Sequence, residues 1–172
     1  QLKLDDLQTS LMVAILGVGI AVGCVIAGVA SKGAISFALV HRATWGMFAA
    51  LLLLCGAPLL GLPVNETAWL SAALLLLLGV AAGLFAVPLQ VYLQAKPPAD
   101  QKGRMIGTMN IFNWVAILLA AAGYGLCSWL FTLPPAAAGA EPRSIINWTF
   151  AILAAILLPV LLLFRPRDEA LE

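Results

Sequence analysis

The stretch Ala68–Leu93 reads AWLSAALLLLLGVAAGLFAVPLQVYL, 26 residues without a charge. A helix needs about 20 apolar residues to cross the hydrocarbon core of a bilayer. This run is long enough to cross it and to tilt or extend beyond it. A membrane barrel strand would instead need about ten residues of alternating polarity, and LSAALLLLLGVAAGLF does not alternate. In lipid the backbone finds no water to bond, so a run of this length must satisfy its own N–H and C=O groups as a helix.

Working outward, the same pattern recurs. Charge-free apolar runs occupy residues 9–30, 43–62, 105–131 and 145–164, which with 68–93 makes five spans in a chain of 172 residues. Apolar residues make up 63% of the chain and charged residues 10%, against roughly 45–50% and about 25% in soluble domains. Mean hydropathy is +1.04. Nine Lys and Arg and eight Asp and Glu are too few to coat a soluble domain, and all of them lie outside the five runs. A soluble enzyme and a nucleic-acid binder are both excluded on this ground, and a net charge of +1 creates no field that calls for an acidic partner. The expected fold is an all-α membrane protein.

The breaks carry turn chemistry. Pro63, Asn65 and Glu66 part the second and third runs. Lys96, Pro97, Pro98 and Asp100 part the third and fourth, and Pro134, Pro135, Gly139 and Pro142 the fourth and fifth. The connector at 31–42 is less polar, and SFALV within it reads as a start for the second helix. Lys and Arg favour the cytoplasmic side of a membrane. Lys32, Arg42, Lys96, Lys102, Arg104, Arg165 and Arg167 fall on one side, Lys3 and Arg143 on the other. This split puts the C-terminus in the cytoplasm and residue 1 outside. The chain starts at Gln1 with no secretory signal pattern. It reads as a segment beginning outside the membrane, with an earlier span expected to bring it there.

Three features remain that bear on packing and chemistry. Cys24, Cys55 and Cys127 are odd in number and without CxxC spacing, which argues against a disulfide framework or a zinc site; no metal or other cofactor is expected. Small residues recur four apart at Gly19 and Gly23, with Gly28 beyond, at Gly79 and Gly83, and at Gly103 and Gly107. Such spacing lets helix backbones approach closely, either inside one bundle or across a dimer face. Polar residues within the spans are rare. Gln90 follows Pro88, a residue expected to kink the third helix. Asn110 and Asn113 are three apart on the fourth helix, and Gly103, Gly107, Asn110 and Trp114 form one stripe at helical spacing. Gln90, Asn110, Asn113 and Trp114 are candidates to line a polar cavity. The amides have a second reading, as hydrogen bonds holding helices together. No Asp, Glu, Lys, Arg or His lies in any run, so catalysis within this chain is not expected and a coupling residue would lie elsewhere. His41, beside Arg42, reads as a headgroup-level flank rather than a pH sensor. Trp45, Trp69, Trp114, Trp129 and Trp148 lie within or near span ends, as an aromatic belt would place them.

The segment Asp100-Gln101-Lys102-Gly103-Arg104-Met105-Ile106-Gly107 resembles a cytoplasmic loop of major facilitator superfamily transporters. There an acidic residue, a basic-Gly-Arg triplet and a glycine three residues later open the next helix. Physically, Gly103 would permit a tight turn, Asp100 would cap the helix or pair with the nearby cations, and Arg104 would sit at headgroup level. The wider stretch, with Pro88-Leu89, Leu93-Gln94, Pro97-Pro98, Gly103-Arg104 and Asn110, is similar to the lysophospholipid transporters and the transporter domains fused to glycerophospholipid acyltransferases. LGVGIAVGCVIAGVASKG looks like that branch's glycine-rich helix ending in a small basic loop. Ser31-Lys32-Gly33 departs from the pattern, lacking the acidic residue many members carry there.

The resemblance implies that residues 1–172 are spans 8 to 12 of a twelve-span fold, most of its C-terminal six-helix bundle, working with an N-terminal half. It implies alternating-access transport of lysophospholipid across the bacterial inner membrane, with the substrate near the midplane between the halves. The expected partners are membrane lipid, that other half, and a fused or associated acyltransferase. The rival reading is a non-transporting anchor that scaffolds such an acyltransferase after Arg167.

Overall fold

The computed structural model describes residues 5–31, 37–98, 100–132 and 148–163. These form helices α1 (Asp6–Ser31), α2 (Phe37–Gly56), α3 (Val64–Ala95), α4 (Lys102–Thr132) and α5 (Trp148–Leu163), with a short 3₁₀ turn at Ala57–Leu60. There is no strand among the described residues. Among the described residues four helices are long and apolar enough to cross a membrane. The described part of α5 has 16 residues. Residues 145–147 and 164 of its apolar run lie outside the described residues, as do Lys3, Lys32, Arg143, Arg165, Arg167 and the prolines between α4 and α5.

Helices α1, α3 and α4 outrun their apolar stretches at both ends, because only the lipid-embedded middle has to be apolar. Asp5 opens α1: its carboxylate oxygen accepts from the Asp6 N–H at 2.9 Å and its carbonyl from the Thr9 N–H at 3.0 Å. α2 begins at Phe37, six residues before its charge-free run at Ala43, so His41 and Arg42 are helical. Nothing in SFALV breaks a helix, and the two basic side chains can reach the interface from the second turn. At the other end α2 stops at Gly56, short of Leu62, because Pro58 has no N–H and its ring crowds the preceding turn. Gly61 then reverses the chain at φ 63°, a conformation that costs other residues about 1–2 kcal/mol. Asn65 and Glu66, which the sequence places in the break, lie in the first turn of α3, where an acidic side chain suits the helix dipole. The Thr67 hydroxyl donates to the carbonyl of Pro63 at 3.1 Å and fastens that turn.

Packing is built around α3, which is flanked by α1 and α2, with α5 against α2. The α1–α3 contact is backbone on backbone. A Cβ added at Gly19 would strike the carbonyl oxygen of Leu76, and one at Gly23 that of Val80. In return, a Cβ at Gly79 would strike the carbonyl oxygen of Leu16 and lie 2.9 Å from the Ile20 nitrogen; one at Gly83 would lie 2.7 Å from the Cys24 nitrogen. The two glycine pairs are therefore each other's partners, one on each helix. Gly28, Gly103 and Gly107 have open space where a side chain would go and make no such approach within the described structure.

Between α2 and α3, Phe37 and Val40 are buried against Phe85, Leu89 and Tyr92. Pro88 is fully buried within α3. Ala154 and Leu161 are the buried residues of α5. Outside these seams the surface is apolar: Val13, Val25, Leu53, Leu77, Phe112, Leu119 and Ile156 are all exposed, as are all five tryptophans. Continuous exposed apolar surface on this scale suits lipid, not water. The fold is an all-α integral membrane protein.

Candidate substrate groove between α3 and α4

The α3–α4 turn sets the site. The Gln101 N–H donates to the Pro98 carbonyl at 2.9 Å, and the Met105 N–H to the Gln101 carbonyl at 3.0 Å. The turn thus closes over Pro98–Gln101, and α4 starts immediately after it. This corrects the role expected of Gly103. The residue lies in the first helical turn of α4 without a positive φ, because the prolines and the Gln101 amide make the reversal before the chain reaches it. Asp100 is exposed in the turn, and the carbonyl that starts the helix is that of Gln101. Lys102 and Arg104 are exposed in the first turn of α4, with Gly107 one turn on.

Beyond the turn the two helices enclose a groove of about 630 Å³, lined by Gln90, Leu93, Met105, Thr108, Met109, Asn110, Phe112 and Asn113. Its size falls in the range of small-molecule sites. Gln90 from α3 and Asn110 and Asn113 from α4 thus share one cleft, although no spacing in sequence links the first to the other two. Among the described residues, no side-chain hydrogen bond ties these amides to another helix, and all three line the cleft. All three are exposed, so the groove is open along its side. The wall is amphipathic: three amides and a hydroxyl set among methionine, leucine and phenylalanine.

Trp114 is not part of this wall. It is exposed on α4, outside the lining. Helix geometry explains the miss: Asn113 lies about 60° to one side of Asn110 and Trp114 about 40° to the other. Thr108, Met105 and Met109 were not singled out from sequence, and methionine and threonine are too common in apolar spans to signal a site alone.

Two further side-chain pairs carry i, i+4 spacing that sequence reasoning passed over. The Trp45 indole donates to His41 Nε2 at 3.1 Å. The Lys96 ammonium lies 5.6 Å from the centre of the Tyr92 ring, which packs edge-to-face with the Phe37 ring at 5.4 Å between ring centres. The second pair borders another concavity at the turn, which shares Leu93, Met105 and Thr108 with the amide groove. Among the described residues no cluster of three potential metal ligands occurs.

These features define a polytopic helical membrane protein with an amphipathic groove between two spanning helices. The sequence matches the family model of the Major Facilitator Superfamily over residues 1–121, from α1 into the middle of α4. The chain belongs to that superfamily, whose members carry solutes across membranes. No curated protein and no solved structure matches it.

Proposed function

We propose that this chain belongs to an alternating-access transporter whose substrate is a lysophospholipid, moved across the bacterial inner membrane. The observation that carries the reading is the groove in which Gln90, Asn110 and Asn113 meet beside Leu93 and Phe112. Amides match the glycerol hydroxyl, ester and phosphate oxygens of a single-chain phospholipid headgroup, and the open apolar flank accommodates its acyl chain in contact with lipid. The Pro-Leu, Leu-Gln, Pro-Pro, Gly-Arg and Asn pattern supports the same substrate class, and Leu93 and Asn110 of that pattern stand on the groove. A further helical half of the same transporter would pack against α4, whose described side chains are mostly exposed. Substrate would be held between the halves and released as they rock.

The test is uptake of labelled lysophospholipid by bacterial cells that lack their own uptake route and express the full-length protein. Uptake well above that of vector-only cells supports the reading. Vector-level uptake, with the protein present in the membrane, overturns it.

The orientation proposed with it places the α3–α4 turn in the cytoplasm. In a background with Cys24, Cys55 and Cys127 replaced by serine, Gln101→Cys is expected to react with a membrane-impermeant maleimide in inside-out vesicles and not in intact spheroplasts. Labelling in spheroplasts would reverse the topology.

A further inference from the structure

The amide groove runs into a second concavity of about 460 Å³ at the α3–α4 turn, and its chemistry differs. Its wall includes Lys96 and Arg104, with Gln101 between them in sequence, the Tyr92 ring, and the apolar side chains of Leu93 and Met105. Among the described residues no Asp or Glu lines it; Asp100 is exposed in the turn and is not part of this wall. The two cations come from different elements, Lys96 just beyond the end of α3 and Arg104 from the first turn of α4. Lys96 lies over the Tyr92 ring, and Tyr92 in turn packs edge-to-face with Phe37 on α2. Arg104 stands where the first N–H groups of a helix lack intrahelical acceptors and favour an anion.

We propose that this mouth is a binding site for the phosphate of an anionic membrane phospholipid, separate from the transported substrate. It lies at the ends of two helices long and apolar enough to span the bilayer, at the depth where headgroups sit. Basic pockets between spanning helices bind anionic headgroups. The apolar part of the wall gives glycerol and the first methylenes a surface that a free anion does not use. A lipid held here touches both α3 and α4 and joins two helices whose mutual contact is otherwise small. The site rests on the position of the cations and not on the identity of the transported molecule, so it stands or falls independently of the transport reading.

The experiment titrates purified full-length protein in detergent with short-chain phosphatidylglycerol, phosphatidylcholine and inorganic phosphate, following binding by calorimetry. Phosphatidylglycerol is expected to bind more tightly than phosphatidylcholine. Lys96→Gln and Arg104→Gln should each weaken it by about fivefold, and together by twentyfold or more. Lys96→Arg with Arg104→Lys should retain binding, and Arg42→Gln, an equal change of charge at an exposed site on α2, should leave it unchanged. The proposal is overturned by an unaltered affinity in the Lys96→Gln/Arg104→Gln variant or by an equal loss in Arg42→Gln. Competition by inorganic phosphate at the concentrations at which the lipid binds would likewise overturn it, assigning the mouth to a free anion.

Discussion

Replacing Gly79 or Gly83 with leucine is expected to stop α1 and α3 from packing and to leave no monodisperse protein after purification. At both positions a side chain would have to occupy the space of backbone atoms on α1: the Leu16 carbonyl and Ile20 nitrogen for Gly79, the Cys24 nitrogen for Gly83. Backbone does not rotate aside as a flexible side chain would. Even alanine should be destabilising here, by about 1–3 kcal/mol for forced overpacking. The same changes at Gly17 and Gly28 meet open space, and there alanine should be neutral or slightly stabilising, since glycine is the poorer helix former by about 1 kcal/mol. Thermal unfolding of Gly19→Ala, Gly23→Ala, Gly79→Ala and Gly83→Ala beside Gly17→Ala and Gly28→Ala checks the contrast. Equal melting temperatures across the series would mean that α1 and α3 do not meet through their glycines.

The Asn110→Leu/Asn113→Leu variant is expected to lose at least about tenfold in lysophospholipid uptake at equal expression. Two hydrogen bonds to a headgroup, each worth about 0.5–1.5 kcal/mol, account for a change of that order. Thermal stability should hardly move, because both side chains are exposed on the groove and hold no other helix. This separates the two roles open to intramembrane asparagine. Amides that join helices contribute about 0.6 kcal/mol each on average, and their loss would lower the melting temperature along with transport. Unchanged uptake would remove Asn110 and Asn113 from the substrate path.

What the sequence made legible follows from what a bilayer demands. Charge-free runs long enough to cross lipid must be helical, so five helices could be read directly. The ends could not, because the interface tolerates His41, Arg42, Glu66 and Lys102 inside a helix as readily as outside it. The glycine spacing announced close packing but not its partner. Gly19–Gly23 and Gly79–Gly83 meet only because α1 and α3 cross at that height, whereas Gly28, lying beyond the crossing on the same helix, meets nothing. In the groove, the rarity of amides in apolar spans picked out Gln90, Asn110 and Asn113, since a polar group in lipid needs a reason. The rule of the stripe misled for Trp114, because a groove wall takes in one flank of a helix and a stripe does not say which. Lys96 and Tyr92 were overlooked as a pair because a lysine at a span end is explained by topology alone.

The transport reading is tested most directly by measuring lysophospholipid flux into proteoliposomes containing the full-length protein, with and without an imposed pH gradient. Saturable uptake above that of protein-free vesicles is expected, at a lower rate in the Asn110→Leu/Asn113→Leu variant. Flux equal to that of protein-free vesicles in both conditions, from correctly folded protein, would contradict it.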